Sequence, residues 1–162
     1  MSAPLEHKVD SQKLTADAHI HLYEIQLRTE PVTLRFSDTT TNTWQGNVYG
    51  MFSIHIAGER RTAEDEEARP TLQVINPEGL FNSLVRQRLL DRATVIRRTI
   101  LLAHLEADVP IYQQRMWYVS RVADVTAGQS ITMELRSMSE GPNMRLPARQ
   151  FCPPEFPLVR LR

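Results

Sequence analysis

Apolar and polar residues alternate along two stretches of this chain, and this period of two is the feature that most limits its fold. Residues 23–28 read Tyr-Glu-Ile-Gln-Leu-Arg, and residues 131–136 read Ile-Thr-Met-Glu-Leu-Arg. A β-strand places such apolar side chains on one side and the polar side chains on the other. An amphipathic helix would instead repeat its apolar residues every three to four positions. Both stretches are therefore predicted to be half-buried strands.

Similar patterns predict several more strands. The turn Thr29-Glu30-Pro31 is followed by renewed alternation over residues 32–37, which predicts a hairpin with the first strand. Residues 94–104 are rich in β-branched and apolar side chains and are predicted to form one long strand, while a last hairpin is expected around Gly128. The fold class that follows is mainly β, an antiparallel β-barrel or sandwich. The remaining predicted strand residues are Trp44, Val48, Tyr49, Phe52, Ile54, Ile56, Leu72, Val74, Met116, Trp117, Tyr118, Val119 and Val122.

One short helix is predicted to begin at Asn76-Pro77, because Asn caps free backbone N–H groups and Pro is favoured at the first helical position. The stretch 58–70 mixes arginines with a run of acidic residues and has no apolar face, so it is predicted to be a loop. The predicted helix would bury one face, composed of Leu80, Phe81, Leu84, Val85 and Leu89.

The chain of 162 residues is long enough for one domain with its own core, and three parts are expected. Residues 1–17 are polar and are predicted to be a flexible N-terminal segment, and residues 18–140 to be the β-rich domain. Five of the ten prolines lie after residue 140, so residues 141–162 are predicted to be an extended arm. The N-terminal segment has no apolar run of signal-peptide or membrane-spanning length, which predicts synthesis in the cytoplasm without membrane insertion.

The charge balance disfavours a nucleic-acid partner. Nineteen basic residues match nineteen acidic ones, whereas a nucleic-acid binder usually carries a basic excess. Cys152 is the single cysteine, so it can form neither an internal disulfide nor a CxxC site. Weak mutual repulsion at zero net charge suits a protein that associates with other subunits.

The usual catalytic and ligand-binding signatures are missing from the sequence. His19 and His21 share one face of a predicted strand, but no acidic residue or cysteine follows at metal-ligand spacing. The acidic run Glu64–Glu67 is interpreted as a solvated loop. Because the chain has no phosphate-binding loop, dinucleotide fingerprint or nucleophile elbow, no catalytic, metal-binding or cofactor-binding residue is predicted.

Arg97 and Arg98 are adjacent within a predicted strand, so they point to opposite sides of the sheet. An unpaired buried charge is very costly, and therefore at least one arginine must reach solvent or be paired. The sequence leaves two interpretations open, a salt bridge between subunits or two ordinary surface arginines.

Four short motifs follow one another along the chain. These are Thr43-Trp44-Gln45-Gly46 with Tyr49, Arg69-Pro70-Thr71-Leu72 with Val74 and Asn76, Thr94-Val95-Ile96-Arg97-Arg98, and Leu146-Pro147-Ala148-Arg149 leading to Cys152. In order and spacing, this series resembles the minor tail protein L family of lambda-like tailed bacteriophages. The resemblance covers most of the chain, from about residue 23 onward.

The resemblance implies a mainly-β protein of the phage tail tip, with no catalysis. Such a protein would lie between the end of the tail tube and the central host-recognition fibre, within a closed ring or trimeric hub. Longer family members carry a cysteine-rich C-terminal segment that binds an iron-sulfur cluster, but only Cys152 stands near the first cysteine of that pattern, so no cluster is expected here. The candidate assembly residues are Trp44, Arg97, Arg98, Arg149, Phe151 and Phe156.

The leading hypothesis is therefore a virion protein of the tail tip, a homo-oligomeric hub or adaptor that contacts the tube-end protein and the central fibre protein. The first alternative is a small tail-associated hydrolase of cell wall or glycans, which would need paired acids in a cleft. A second alternative, a β-barrel that binds single-stranded nucleic acid, conflicts with the neutral charge.

Overall fold

The computed structural model describes residues 4–13, 17–59, 69–76, 79–126 and 129–137. The chain is mainly β, as predicted. The helices among these residues are short: α1 (Leu5–Asp10), α2 (Asn82–Arg86) and α3 (Leu102–Glu106). Its strands are β1 (His19–Gln26), β2 (Thr33–Ser37), β3 (Asn42–Trp44), β4 (Asn47–Met51), β5 (Ile54–Ala57), β6 (Thr71–Ile75), β7 (Thr94–Leu101), β8 (Gln113–Thr126) and β9 (Ser130–Ser137).

The strands form one sheet in the order β3-β4-β2-β1-β7-β8-β9-β6-β5. All neighbouring pairs are antiparallel except β2 and β4, which are parallel, so the predicted antiparallel barrel or sandwich is mixed at this pair. The reason is the short strand β3, which reverses the chain between them and, among the described strands, pairs only with β4. A direct hairpin from β2 to β4 would have made the pair antiparallel.

The sheet is rolled up, because β2 and β5 lie near its opposite ends in the strand order and yet are close together in space. β2 and β5 are six places apart in the strand order, which would separate them by about 29 Å in a flat sheet. Yet Phe52 donates its backbone N–H to the carbonyl of Ser37, at the end of β2, and β5 begins only two residues later. Two residues of extended chain span at most about 7 Å. The two ends of the sheet therefore meet, as expected for a barrel.

The inner face of the rolled sheet holds the larger apolar core. Side chains from seven strands and from the α2 region pack together there. Leu72, Val74, Val95, Ile131 and Met133 are completely buried. This core lies on the face that the alternation in the sequence predicts. Within β9, Ile131, Met133 and Leu135 point inward, while Thr132, Glu134 and Arg136 are partly exposed.

A second, smaller core covers the outer face of β1 and β7. Leu22 and Ile100 from these strands pack there with Trp44 and Tyr49 of the β3–β4 hairpin and with Leu105 of α3. Both faces of β1 and β7 are consequently buried along much of their length. The hairpin covers this part of the outside of the barrel.

The helices differ from the sequence predictions in number and position. Only one helix was predicted; α1 and α3 were missed. The predicted long strand ends at Leu101, after which the chain turns into α3. α2 begins at Asn82, and Asn76 accepts a hydrogen bond from the backbone N–H of Phe81 (3.1 Å) in the loop before it.

The packing of α2 agrees with the predicted face only in part. Phe81 is completely buried and Leu89 is buried, and Leu84 and Val85 pack against the core, but Leu80 is largely exposed. Most of the predicted loop 58–70 and the whole predicted arm 141–162 lie outside the described residues.

Candidate functional site

Strand β7 carries the two adjacent arginines that the sequence singled out, and the structure gives each one a separate ionic cluster. Their side chains are only 13% (Arg97) and 16% (Arg98) exposed. The interpretation as two surface arginines is therefore wrong. Both are buried because β7 is covered on both faces, by the barrel interior and by the β3–β4 hairpin.

The outer cluster is centred on Glu24 of β1, which is buried. One carboxylate oxygen of Glu24 accepts a hydrogen bond from the Tyr49 hydroxyl (2.6 Å) and lies 2.6 Å from Nη1 of Arg98. Nε of Arg35 lies 3.7 Å from the same oxygen, an ion pair without a hydrogen bond. We call this set, with the aromatic rings described next, the outer network. It fastens the hairpin residue Tyr49 to the barrel strands β1 and β7.

The electrostatics of the outer network favour an ionised Glu24. Burial alone would raise the pKa of Glu24, but the hydrogen bonds from Arg98 and Tyr49 and the charges of Arg98 and Arg35 lower it below its usual value. Burial and the hydrogen bond to Glu24 raise the pKa of Tyr49 to about 12. The pair is thus a tyrosine hydroxyl donating to a carboxylate.

Two aromatic rings cover the Arg98 guanidinium. Its Cζ lies 5.9 Å from the ring centroid of Trp44 and 5.6 Å from that of Tyr112, within cation–π range. The two rings meet edge to face at 5.3 Å. The Trp44 indole N–H donates to the carbonyl of Val109 (3.4 Å), which ties the hairpin to the loop after α3.

The inner cluster lies on the opposite face of β7. Arg97 is directly opposite Arg115 of β8, an arrangement of like charges that is unfavourable by itself. Glu59, two residues after β5, lies between them: its Oε2 is 2.8 Å from Nη2 of Arg97 and 2.9 Å from Nη1 of Arg115. Arg97 also stacks over the Trp117 ring at 5.5 Å. Glu59 thereby links the end of β5 to strands β7 and β8.

The candidate assembly residues therefore divide into two groups. Trp44, Arg97 and Arg98 have partners within the chain and are mostly buried, whereas Arg149, Phe151 and Phe156 lie outside the described residues. Sequence reasoning missed Glu24, Tyr49 and Glu59. The sequence signal for Glu24 was its charge within a strand that was predicted to be half-buried; only the β1–β7 register places it one diagonal step from Arg98.

The histidines form contacts with one another and with other side chains. His7 of α1 is buried, with its ring 5.9 Å from His19 and 6.3 Å from His104. Nε2 of His104 lies 2.9 Å from Glu6, and Nδ1 of His21 lies 3.0 Å from the Thr99 hydroxyl. Within the described ranges, no group of three or more His, Cys, Asp and Glu side chains has the arrangement of a metal site.

An open pocket of about 540 Å³ lies between α1 and the start of α3. Its acidic side chains already have structural partners. Asp10 pairs with Lys13 (3.2 Å) and accepts the backbone N–H of Asp17, and Asp17 accepts the backbone N–H groups of Ala18 and Ala103. These carboxylates therefore hold the N-terminal segment against β7 and α3. No helix among the described residues is long and apolar enough to cross a membrane.

Comparison with known proteins decides the family. Residues 29–156 match the family model described as phage minor tail protein L. The chain belongs to this family. The match includes β2 through β9, with both ionic clusters except for Glu24.

A solved structure has the same fold. In the structure titled "Virion of native gene transfer agent (GTA) particle", one chain superposes with a TM-score of 0.62 at 13% sequence identity. The superposition covers 88% of this chain and 47% of that one, so the chain spans about half the length of that protein. No curated protein matches the chain.

Family membership makes this chain a structural component of a phage tail, and thus of the virion. The resemblance noted in the sequence is confirmed, and so is the mainly-β fold.

Proposed function

We propose that the chain is a tail-tip hub or adaptor subunit that joins the distal end of the tail tube to the central host-recognition fibre protein. It would act as a trimer or ring, without catalysis, through strand and arm contacts with neighbouring subunits. The observation that carries this proposal is the β3–β4 hairpin, which is firmly held on the barrel yet presents an exposed sheet edge.

The hairpin has the properties of an assembly surface. β3 is at one end of the strand order and pairs only with β4 among the described strands, so its outer edge can accept another strand. On β4, Val48 and Met51 are 62% and 66% exposed, although both are large apolar residues. Tyr49, between them, is completely buried in the outer network. The hairpin would therefore meet a partner as a rigid element, which lowers the entropy cost of association.

The predicted arm 141–162 would supply a second contact. It contains Arg149, Phe151 and Phe156, and aromatic and arginine side chains are enriched among residues that dominate interface energies. We propose that these three residues contact neighbouring tail proteins, whereas Arg97, Arg98 and Trp44 contribute by keeping the hairpin and barrel in place.

The carboxylates discussed above pair with groups of the same chain, which supports a structural role over the hydrolase alternative. A glycan hydrolase needs two carboxyl groups facing a substrate cleft. Glu24 and Glu59 are instead each paired with arginines, and Asp10 and Asp17 accept backbone N–H groups. A cleavage assay with peptidoglycan and surface glycans on purified protein tests the alternative directly, and we expect no product.

Tail morphology tests the proposed role. Particles assembled without this protein, viewed by electron microscopy, should lack finished tail tips. Complementation with the double variant Val48→Glu/Met51→Glu should leave the same defect, because two charges on the hairpin would oppose its burial against a partner.

Leu80→Glu is the matched control, since Leu80 is also a large exposed apolar residue but lies before α2. It should restore normal tips, and both variants should keep the wild-type melting temperature within a few degrees. Finished, infectious tails in the absence of the protein would refute the tail-tip role. Equal rescue by both variants would instead exclude only the hairpin as the contact surface.

A further inference from the structure

Helix α1 lies on the domain with its polar side inward. His7 and Asp10 are buried, whereas Leu5 and Val9, one helical turn apart, are 76% and 50% exposed. A surface helix normally buries its apolar side chains and exposes its polar ones. The polar side is held by defined contacts, Asp10 with the backbone of Asp17 and Glu6 with His104. The apolar side of α1 is therefore left for another occupant.

That apolar side faces the pocket between α1 and α3. Leu5 and Val9 line it on one side, and Leu101 and Ala103 on the other. Its remaining lining is charged, with three carboxylates against one lysine, or a net charge of −2 when His104 is neutral; these residues are Glu6, Asp10, Asp17, Lys13 and His104. The pocket thus favours a short segment that is both apolar and basic.

We propose that this pocket binds residues 158–162 of the same chain, Leu-Val-Arg-Leu-Arg. The segment combines three large apolar side chains with a charge of +2 from Arg160 and Arg162. Leu158, Val159 and Leu161 match the exposed Leu5 and Val9 in chemistry, and the arginines match the acidic lining. The proposal is independent of the tail-tip role, because it concerns the isolated subunit.

The connection is long enough for this docking. β9 ends at Ser137, and 21 residue steps lead from there to Leu158. Such a length of chain reaches up to about 70 Å, whereas a domain of this size is about 40 Å across. Tethering on one chain also gives the segment a local concentration on the order of millimolar. Modest complementarity is therefore sufficient for docking within one molecule.

Charge is what distinguishes this segment as the occupant. Glu6 is about half exposed even while it contacts His104, so its carboxylate can also accept a hydrogen bond from an arginine. In an extended segment, Arg160 and Arg162 would lie on one side and Val159 and Leu161 on the other.

Disulfide trapping in the full-length chain tests the proposal. In a Cys152→Ser background, Val9→Cys is combined with Leu161→Cys, and the protein is oxidised at low micromolar concentration. The matched control combines Val48→Cys with Leu161→Cys, because Val48 is similarly exposed but lies on the hairpin. We expect the Val9 pair to form an intramolecular disulfide at least about tenfold faster than the control pair. Equal rates would overturn the proposal, and so would disulfide-linked dimers as the main product, which would identify a second copy as the occupant.

Charge variants on the Val9 pair separate specific docking from chance collision. Arg160→Glu/Arg162→Glu should slow disulfide formation to near the rate of the control pair, whereas Arg160→Lys/Arg162→Lys should keep most of it. Circular dichroism of the reduced proteins checks that each variant is folded. If charge reversal left the rate unchanged, the proposed ionic recognition would be wrong.

Discussion

The two faces of β7 use neighbouring arginines in different ways. On the outer face, Arg98 meets a carboxylate that is buried, hydrogen-bonded by a tyrosine and covered by two aromatic rings. On the inner face, Arg97 shares the carboxylate of Glu59 with Arg115, whose side chain is about half exposed. The outer network joins a hairpin to the barrel, whereas the inner cluster links the end of β5 to β7 and β8.

The two carboxylates differ in burial, since the side chain of Glu24 is 7% exposed and that of Glu59 is 21% exposed. We expect this difference, more than the number of ionic contacts, to decide what each cluster contributes to stability. A buried charge that loses its partner cannot turn to water, whereas a half-exposed one can. The outer network should therefore determine the stability of the fold, and the inner cluster should have a mainly local effect.

Arg98→Ala should produce the largest loss. It leaves the Glu24 carboxylate buried with only Tyr49 and the more distant Arg35 nearby, which should lower the free energy of unfolding by about 3 kcal/mol. Arg97→Ala is the internal comparison and should cost about half as much, because Glu59 keeps Arg115. Urea denaturation of both variants measures the difference. Equal losses in the free energy of unfolding would show that the two faces of β7 contribute equally to stability.

Tyr49→Phe isolates one hydrogen bond of the outer network. The phenyl ring keeps the packing of the hairpin but removes the donor 2.6 Å from Glu24, so the free energy of unfolding should fall by about 2 kcal/mol. Tyr112→Phe is a suitable control, because its ring would still stack on Arg98 and Trp44. If both substitutions had the same effect in denaturant titrations, the hydroxyl of Tyr49 would have no special role.

The pH dependence of stability should reveal the ionised Glu24. Its folded pKa is lower than the ordinary value of 4.5, so below about pH 4.5 the unfolded chain binds more protons than the folded one. Its stabilising contribution is fully present above that pH and is lost as the pH falls through the folded pKa. Between pH 5 and pH 3, the free energy of unfolding should fall more steeply for wild type than for Glu24→Gln, by at most about 1.4 kcal/mol per pH unit. Parallel curves would contradict the assigned ionisation.

Glu59→Gln should have the smallest global effect. Removing the negative charge leaves Arg97 opposite Arg115, but the Arg115 guanidinium is about half exposed and can turn to water, so the loss should be about 1 kcal/mol. The loss of local stability should be greatest near β5. Hydrogen exchange of the β5 backbone amides should accelerate roughly fivefold, in line with that loss of free energy, while the amides of β1 should be unaffected. Uniform acceleration across the sheet would show that Glu59 supports the whole fold.

The strands were predictable because their alternation is a local signal. Tyr23, Ile25 and Leu27 all point into the inner core, as the period of two requires. The helices were harder to predict. α1 has its apolar residues exposed and its polar residues buried, so its sequence lacks the usual amphipathic pattern. α3 interrupts an apolar run in which periodicity cannot distinguish a strand from a buried helix.

The only part of the site that could be predicted from the sequence was that Arg97 and Arg98 are unusual. Their partners depend on strand register, which brings Glu24 and Tyr49 to Arg98 from positions 74 and 49 residues earlier in the chain. The parallel pairing of β2 with β4 and the second core on the outer face also depend on tertiary contacts. Because a one-residue change in register would reverse every side chain, such contacts do not follow from the pattern of one strand.

The pairing of β1 with β7 has a consequence for the order of folding during synthesis. β1 and β2 are neighbours in the chain and can form their hairpin early, but the other edge of β1 finds its partner only when residues 94–101 have emerged. Contacts between such distant residues slow folding, because a long loop must close first. Until then Glu24 has no access to Arg98 and remains hydrated. The buried ionic network is therefore a late event, and its completion marks the point at which a newly made subunit has a finished hairpin surface.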